Sequence, residues 1–275
     1  MRPHIEKILG AFSQGIAFSN PASQCEIRMD SDGLLSGHSP RSPLTWMNGQ
    51  MNGWIATPRK GKAVEIQALW YNALQFGSEA SLKTEGSDPG WSQMAKKARE
   101  SFNLLFWNSQ NNYLYDVVDG NLREGSIRPN ALYAISMPYE ILENEKFRPV
   151  FDTAWRTLYT SFGLRTLSPS EPHFHGIFSG DPKNRIAAEH NGTVLPFLIG
   201  PFLTAFFKTY GRDPGNKERA IQFLRPFESH LSDAGLGTIS EMFDGNPPHN
   251  PRGCLADCRT VAEILRVIKE EGLDL

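Results

Sequence analysis

The stretch 192–210 is apolar on nearly every face, and it constrains the fold of this chain more than any other. A helix of that kind must be covered on several sides by neighbours. Around it the sequence keeps a rhythm of helix, long loop, helix. Ile5, Ile8, Leu9, Phe12 and Ile16 hold helical spacing over 4–18. Further helices are read at 64–76, 91–107, 127–135, 150–159, 217–231 and 260–271, with another beginning at Pro138. A Gly/Ser loop at 77–90 and a loop-rich stretch at 160–189 separate them. Strand signals are short: 26–29 ahead of the Asp-Ser-Asp-Gly turn at 30–33, and 113–118 ahead of Asp119-Gly120. The expectation is an all-α fold with inner and outer helix layers and short β hairpins in the loops. No repeat of fixed length points to a solenoid. No long low-complexity linker marks a boundary, so 1–275 is expected to be a single domain.

Composition narrows the function. The chain has 275 residues, 40% of them hydrophobic and 21% charged, with a net charge of -2. That balance gives no electrostatic case for nucleic acid or an anionic membrane. No segment approaches ~18 uninterrupted apolar residues, the length that crosses a bilayer. The N-terminus reads as an amphipathic helix rather than a signal peptide. Three cysteines, Cys25, Cys254 and Cys258, cannot all pair and fit a reducing cytoplasm. Cys254 and Cys258 stand near His249, but there is no second ligand pair with metal spacing, so neither a metal nor a cofactor is expected. There is no Gly-rich loop of P-loop or dinucleotide-binding spacing.

The candidate chemistry gathers in the stretch from Thr45 to Glu65, TWMNGQMNGWIATPRKGKAVE. Gly49, Gly53, Pro58 and Gly61 exclude a regular helix or central strand over most of it. A loop dense in Trp, amide and charged groups suits a binding surface. Aromatic faces beside amides and carboxylates suit a sugar, with its apolar C–H faces and rim of hydroxyls. The plain alternative is a loop whose Trp residues cap a core.

The pattern TWMN…W..TPR.GK.VEI.ALWYNAL resembles the signature block of the C-terminal amylo-α-1,6-glucosidase domain of glycogen debranching enzymes. The likeness runs from about Cys25 to Lys269. It implies an (α/α)6 toroid of the six-hairpin type, incomplete because the chain looks like the C-terminal two-thirds of it. A fragment, or a chain that completes its ring as a homo-oligomer or with a partner chain, is the corresponding expectation. The implied activity is cofactor-free hydrolysis, with inversion, of α-1,6-linked glucosyl stubs on glycogen or limit dextrin.

Such hydrolysis uses a carboxylic acid at the leaving oxygen and a carboxylate that activates water, ~6.5–9.5 Å apart. A second block, LGTISEMFDGNPPHNPRGC, resembles the family's closing loop and maps the general base onto Glu241. The general acid maps onto position 48, where the family has Asp and this chain has Asn48. A neutral amide cannot give up a proton to become a stabilised anion, so a general-acid gain of ~10²–10⁴ is expected to be lost there. The resemblance makes Trp46, Arg59, Glu65, Arg128, Asn130, His190 and Asp244 the substrate-binding candidates. Departures accompany it: Glu189 stands for Tyr, Leu195 for Trp, and Asp257-Cys258-Arg259-Thr260 for Gln-Ala-Trp-Ser. Two further readings remain open. One is a catalytically inactive α-glucan-binding module, favoured by Asn48. The other is a toroid enzyme acting on another glycoside or on a polyuronide.

Overall fold

The computed structural model describes residues 2–20 and 23–274. They form two compact units, one made of the residues up to Gly125 with Tyr133–Lys146, the other of Ser126–Leu132 with the residues from Phe147 onward.

In the first unit, α1 (Arg2–Gln14) is followed by an antiparallel meander of β1 (Ile16–Asn20), β2 (Ser23–Met29) and β3 (Leu35–His38). The Asp-Gly turn expected from the sequence closes its second hairpin: Gly33 N–H donates to Asp30 O at 2.9 Å and Asp30 N–H to Leu34 O at 2.9 Å. A small hairpin, β4 (Gln50–Met51) and β5 (Trp54–Ile55), precedes β6 (Lys62–Ala63). Then come α2 (Val64–Glu85), α3 (Trp91–Leu105), β7 (Trp107–Asn108), β8 (Tyr113–Leu114), β9 (Val117–Asp119), β10 (Leu122–Glu124) and the single turn α4 (Tyr133–Ser136). Strands β10, β9 and β6 form a second three-stranded sheet, and β7 pairs with β8.

Helix α2 is the spine of this unit, and it outruns the sequence expectation, which stops it at Phe76 before Gly77. Gly77 stays helical because α1 lies against it: a Cβ there would come within 2.4 Å of Leu9 Cδ1. The helix ends at Gly86, in a left-handed cap (φ 70°) whose N–H bonds Leu82 O at 3.0 Å. Buried amides dock the flanking chain onto the helices. Gln67 accepts from Leu35 N–H and donates to Leu35 O, each at 2.8 Å. Asn72 brackets Tyr139 in the same way, at 3.0 and 2.8 Å. Asn103 donates to Ile141 O at 2.8 Å and accepts from Glu143 N–H at 3.0 Å. These clamps hold 138–143 as irregular chain where the sequence reads the start of a helix after Pro138.

In the second unit, a 3₁₀ turn (Pro129–Leu132) precedes α5 (Phe147–Leu158), β11 (Tyr159–Thr160), β12 (Gly163–Arg165) and α6 (Pro182–His190). The chain continues through β13 (Val194–Leu195), α7 (Ile199–Tyr210), α8 (Pro214–His230), β14 (Met242–Phe243), β15 (Pro251–Arg252) and α9 (Cys258–Glu271). The expected all-round apolar helix is α7, every residue of which from Ile199 to Phe207 is buried. Helices α5, α8 and α9 pack on it. Phe151, Trp155, Phe202, Phe206 and Phe223 interlock edge-on or tilted, for example Trp155 against Phe223 at 5.3 Å and 80°. Aromatic pairs prefer that geometry over a face-to-face sandwich. The helix begins at Ile199 rather than 192, because Val194 and Leu195 are taken into the sheet and 196–198 into a 3₁₀ turn.

The described residues are 47% helical and 16% strand, in several antiparallel sheets, so the fold is mixed α/β and not the all-α toroid expected from the sequence. The physical reason lies in the loops. Buried backbone must find hydrogen-bond partners, and here loops far apart in sequence supply them to one another. The fullest case is the antiparallel five-stranded sheet β11-β12-β13-β14-β15, whose strands are two or three residues long and are drawn from residues 159 to 252. Segments this short carry almost no period-2 signal to read.

One close crossing fixes the loop after β14. A Cβ on Gly245 would lie 1.9 Å from Gly192 O and 3.4 Å from Gly176 Cα, all backbone. Gly245→Ala is therefore expected to cost about 3 kcal/mol, the upper end of ordinary overpacking, measured by urea denaturation. A loss below about 0.5 kcal/mol would show that the crossing is loose.

Candidate active site

In the first unit, the Thr45–Glu65 stretch is an ordered hairpin rather than an open loop. Asn52 and Gly53 both take positive φ, 50° and 80°, at the tip between β4 and β5, as a type I′ turn requires. At its base Thr57 Oγ1 donates to Met47 O at 3.0 Å, and Ala56 N–H to Gly49 O at 2.9 Å. Met47 is buried, Trp46 is half-buried, and Asn48 between the turn and the hairpin is exposed. Asn48 N–H donates to Trp46 O at 2.9 Å. The residue expected from the resemblance at the acid position is thus exposed to solvent.

Arg59 and Glu65, both named as sugar-binding candidates, are brought together below this surface with Asp116. Arg59 Nε donates to Asp116 Oδ2 at 2.7 Å and Nη2 to Asp116 Oδ1 at 2.9 Å. Nη2 also reaches Glu65 Oε2 at 2.6 Å, and Nη1 pairs with Glu65 Oε1. All three side chains are at most 4% exposed. Burial alone would lower the Arg59 pKa, but the Asp116 and Glu65 carboxylates outweigh it and raise it above its ordinary value. Val64 N–H also donates to Asp116 O at 3.0 Å. The triad thereby pins the end of the hairpin segment, the start of α2 and the chain between β8 and β9 to one point. Asp116 escaped the sequence reading because nothing links residues 57 positions apart before the chain is folded.

In the second unit, Arg128 and His190 are likewise neighbours in a buried frame. Arg128 Nη1 donates to His190 O at 2.7 Å and to Thr166 O at 3.1 Å, and Nη2 to Asn191 Oδ1 at 2.8 Å. Asn130, two residues on in the 3₁₀ turn, is wholly buried. His190 closes α6 at 3% exposure. Burial, then the Arg128 charge, lowers its pKa to about 4, so the imidazole is neutral at pH 7. The sign of the pH effect follows. Between about 6.5 and about 4 the unfolded chain binds a proton at this site that the folded chain refuses, so stability is present above that window and drains as pH falls through it. The loss is about 3 kcal/mol by linkage. His190→Gln is expected to flatten the stability difference between pH 7 and pH 4.5 by that order, read from urea denaturation at both values. An unchanged pH slope would contradict the assignment.

Glu241 immediately precedes β14 and is half-exposed. Cys254 and Arg259 hold its carboxylate: Cys254 N–H donates to Oε2 at 2.9 Å, and Arg259 Nη2 lies 3.3 Å from Oε1. Its own N–H donates to Cys254 O at 2.9 Å, so backbone and side chain grip the same residue. Arg259 also pairs with Asp257 at 2.9 Å and lies over the Phe197 ring at 5.3 Å. Burial would lower the Arg259 pKa, but Asp257 and then Glu241 raise it. Asp244, 3% exposed, sits just beyond β14 and organises the closing loop. It accepts from Arg252 Nη2 and Nε at 2.8–3.1 Å and from Phe178 N–H at 2.8 Å. Arg252 and Arg259 were not among the sequence candidates, and their roles as counter-ions depend on a loop geometry that motif matching does not supply.

The candidates therefore divide. Trp46, Asn48 and Glu241 reach solvent, while Arg59, Glu65, Arg128, Asn130, His190 and Asp244 build the frames beneath. Asn48 belongs to the first unit and Glu241 to the second. Among the described residues no group of three or more His, Cys, Asp and Glu side chains could hold a metal ion. No described helix is long and apolar enough to cross a membrane.

Comparison with known proteins agrees with the motif reading. The chain is 28% identical to the glycogen debranching enzyme of Saccharomyces cerevisiae over an alignment of 248 residues, which takes in 72% of this chain and 16% of the yeast protein. It thus spans about a sixth of that relative's length. The family model described as amylo-alpha-1,6-glucosidase matches residues 1–266, which include both the hairpin that carries Asn48 and the loop that carries Glu241. Since that match takes in nearly the whole chain, the resemblance read from the two sequence blocks holds, and the chain belongs to the amylo-alpha-1,6-glucosidase family.

Proposed function

We propose that this chain is a glycoside hydrolase domain of the glycogen-debranching type that removes α-1,6-linked glucosyl stubs from branched glucan with inversion. The observation that carries the reading is the setting of Glu241. It is half-exposed, held by a backbone N–H and a guanidinium, and immobilised by a Pro-rich loop that Asp244 and Arg252 tie down. A carboxyl group fixed in place at a solvent-reaching position is what a general base needs in order to draw a proton from water. In the first unit Trp46 offers an aromatic face to a sugar ring, with Arg59 and Glu65 in the frame beneath it; in the second, Arg128, Asn130, His190 and Asp244 hold the loops of the unit that carries Glu241. The reading needs no metal or cofactor. The test is glucose release from a phosphorylase limit dextrin, set against a linear maltooligosaccharide. Release from the branched substrate supports the reading, and faster turnover of a different glycoside would replace it.

A second reading rests on Asn48. Its exposed amide can hydrogen-bond a glycosidic oxygen but cannot protonate it, which suits a glucan-binding module without turnover. That reading expects glycogen or maltooligosaccharide to bind with no glucose appearing, and detectable release would sink it.

A further inference from the structure

The proposed reaction needs a proton donor that Asn48 cannot be, and the second unit contains a group suited to the task. Thr193 is bonded to the end of α6 twice: its N–H donates to Ala188 O at 3.0 Å and its hydroxyl to Glu189 O at 2.9 Å. The next residue, Val194, pairs across β13–β14 with Phe243, two residues after Glu241. One strand pair thus ties the segment bearing Glu189 to the segment bearing Glu241. The Glu189 carboxyl lies within electrostatic reach of the Glu241 carboxylate and of the Arg259 guanidinium.

The two carboxyls have opposite settings. Glu241 has a guanidinium on one oxygen and a backbone N–H on the other. Glu189 is half-buried, and among the described residues its carboxyl makes no hydrogen bond or ion pair. Burial first, and then the Glu241 charge, raise its pKa, with Arg259 opposing. Two carboxyls in unlike surroundings, one held by donors and one without them, are how one site provides an acid and a base together.

We propose that Glu189 is the proton donor of this site, acting with Glu241 as base and Arg259 as the positioning residue that holds the Glu241 carboxyl in place. The proposal rests on the hydrolase reading above. The bond between the anomeric carbon and the bridging oxygen breaks as the Glu189 O–H proton moves to that oxygen, which leaves as a free hydroxyl on the glucan. Water oxygen bonds to the anomeric carbon while Glu241 takes its proton, giving free glucose. The two carboxyls have then exchanged protonation states, and proton exchange with solvent resets them. No oxidant, reductant or metal enters the balance.

The test compares two substrates. Glucosyl fluoride has a leaving group that departs with little help from an acid, whereas the limit dextrin needs its alcohol protonated. Glu189→Gln is expected to lose ~10²–10⁴-fold on the dextrin and far less on the fluoride, and retained fluoride hydrolysis shows that the variant is folded. The high-pH limb of the wild-type dextrin profile, which reports loss of the Glu189 proton beside Glu241 and Arg259, should vanish in the variant. Equal losses on both substrates, or no loss on the dextrin, would overturn the proposal while leaving the hydrolase reading intact. A wild-type chain that turns over neither substrate would overturn the hydrolase reading, and the donor assignment with it.

Discussion

Replacing Arg59 with Ala should destabilise the protein by about 3–5 kcal/mol, because it leaves Glu65 and Asp116 as two buried carboxylates without their shared cation. The geometry makes the effect large. Five hydrogen bonds run from one guanidinium to these partners, and all three side chains are nearly inaccessible to water. Urea denaturation reads the loss directly. The neutral triple replacement Arg59→Met, Glu65→Gln, Asp116→Asn should recover much of it, since the cost of the single change lies in the orphaned charges rather than in the value of the ion pairs. A control on the same helix sets the scale: Glu79 and Lys83 stand 3.8 Å apart at the surface, and Lys83→Ala should move stability by less than about 0.5 kcal/mol. A small Arg59→Ala effect would mean that the triad is hydrated and does not organise the hairpin.

Replacing Glu241 with Gln should lower glucose release from limit dextrin by ~10²–10⁴-fold while leaving the fold in place. Gln can still accept from Cys254 N–H, and Arg259 keeps Asp257 as an ionic partner. Thermal unfolding of the variant should therefore stay within about 1 kcal/mol of wild type, as for other exposed ion pairs. Activity that survives the change would remove Glu241 from the mechanism. Activity lost together with the fold would show that the carboxylate is a structural clasp.

The sequence yielded much of this molecule for definite reasons. The apolar run that became α7 announces burial by composition alone, and the Asp-Ser-Asp-Gly turn announces a hairpin by its left-handed glycine. The family was legible because the hairpin block and the closing loop keep their residue order. Other features were not legible. Helix α2 passes through Gly77 because α1 needs the space a Cβ would fill, which is tertiary information. Helix α6 lies where the sequence shows only a loop-rich stretch, although Asp181 followed by Pro182 was a usable start signal, and Asp181 does cap Asn184 N–H at 2.8 Å. The Asn52-Gly53 dipeptide was likewise a hairpin signal that the glycine-rich context obscured. The five-stranded sheet was not legible because its strands of two or three residues are set by partners up to tens of positions away. In the candidate site, the motifs nominate side chains but not the ion-pair partners that hold them. Asp116, Arg252 and Arg259 acquire their roles only when loops meet.

The most direct test of the hydrolase reading is the anomeric form of the first glucose released from limit dextrin, followed by proton NMR before mutarotation mixes the anomers. Water delivered by Glu241 to the face opposite the departing α-linked oxygen gives β-glucose first, and that is the expected result. Initial α-glucose, or no glucose from a folded sample that binds the dextrin, would contradict it.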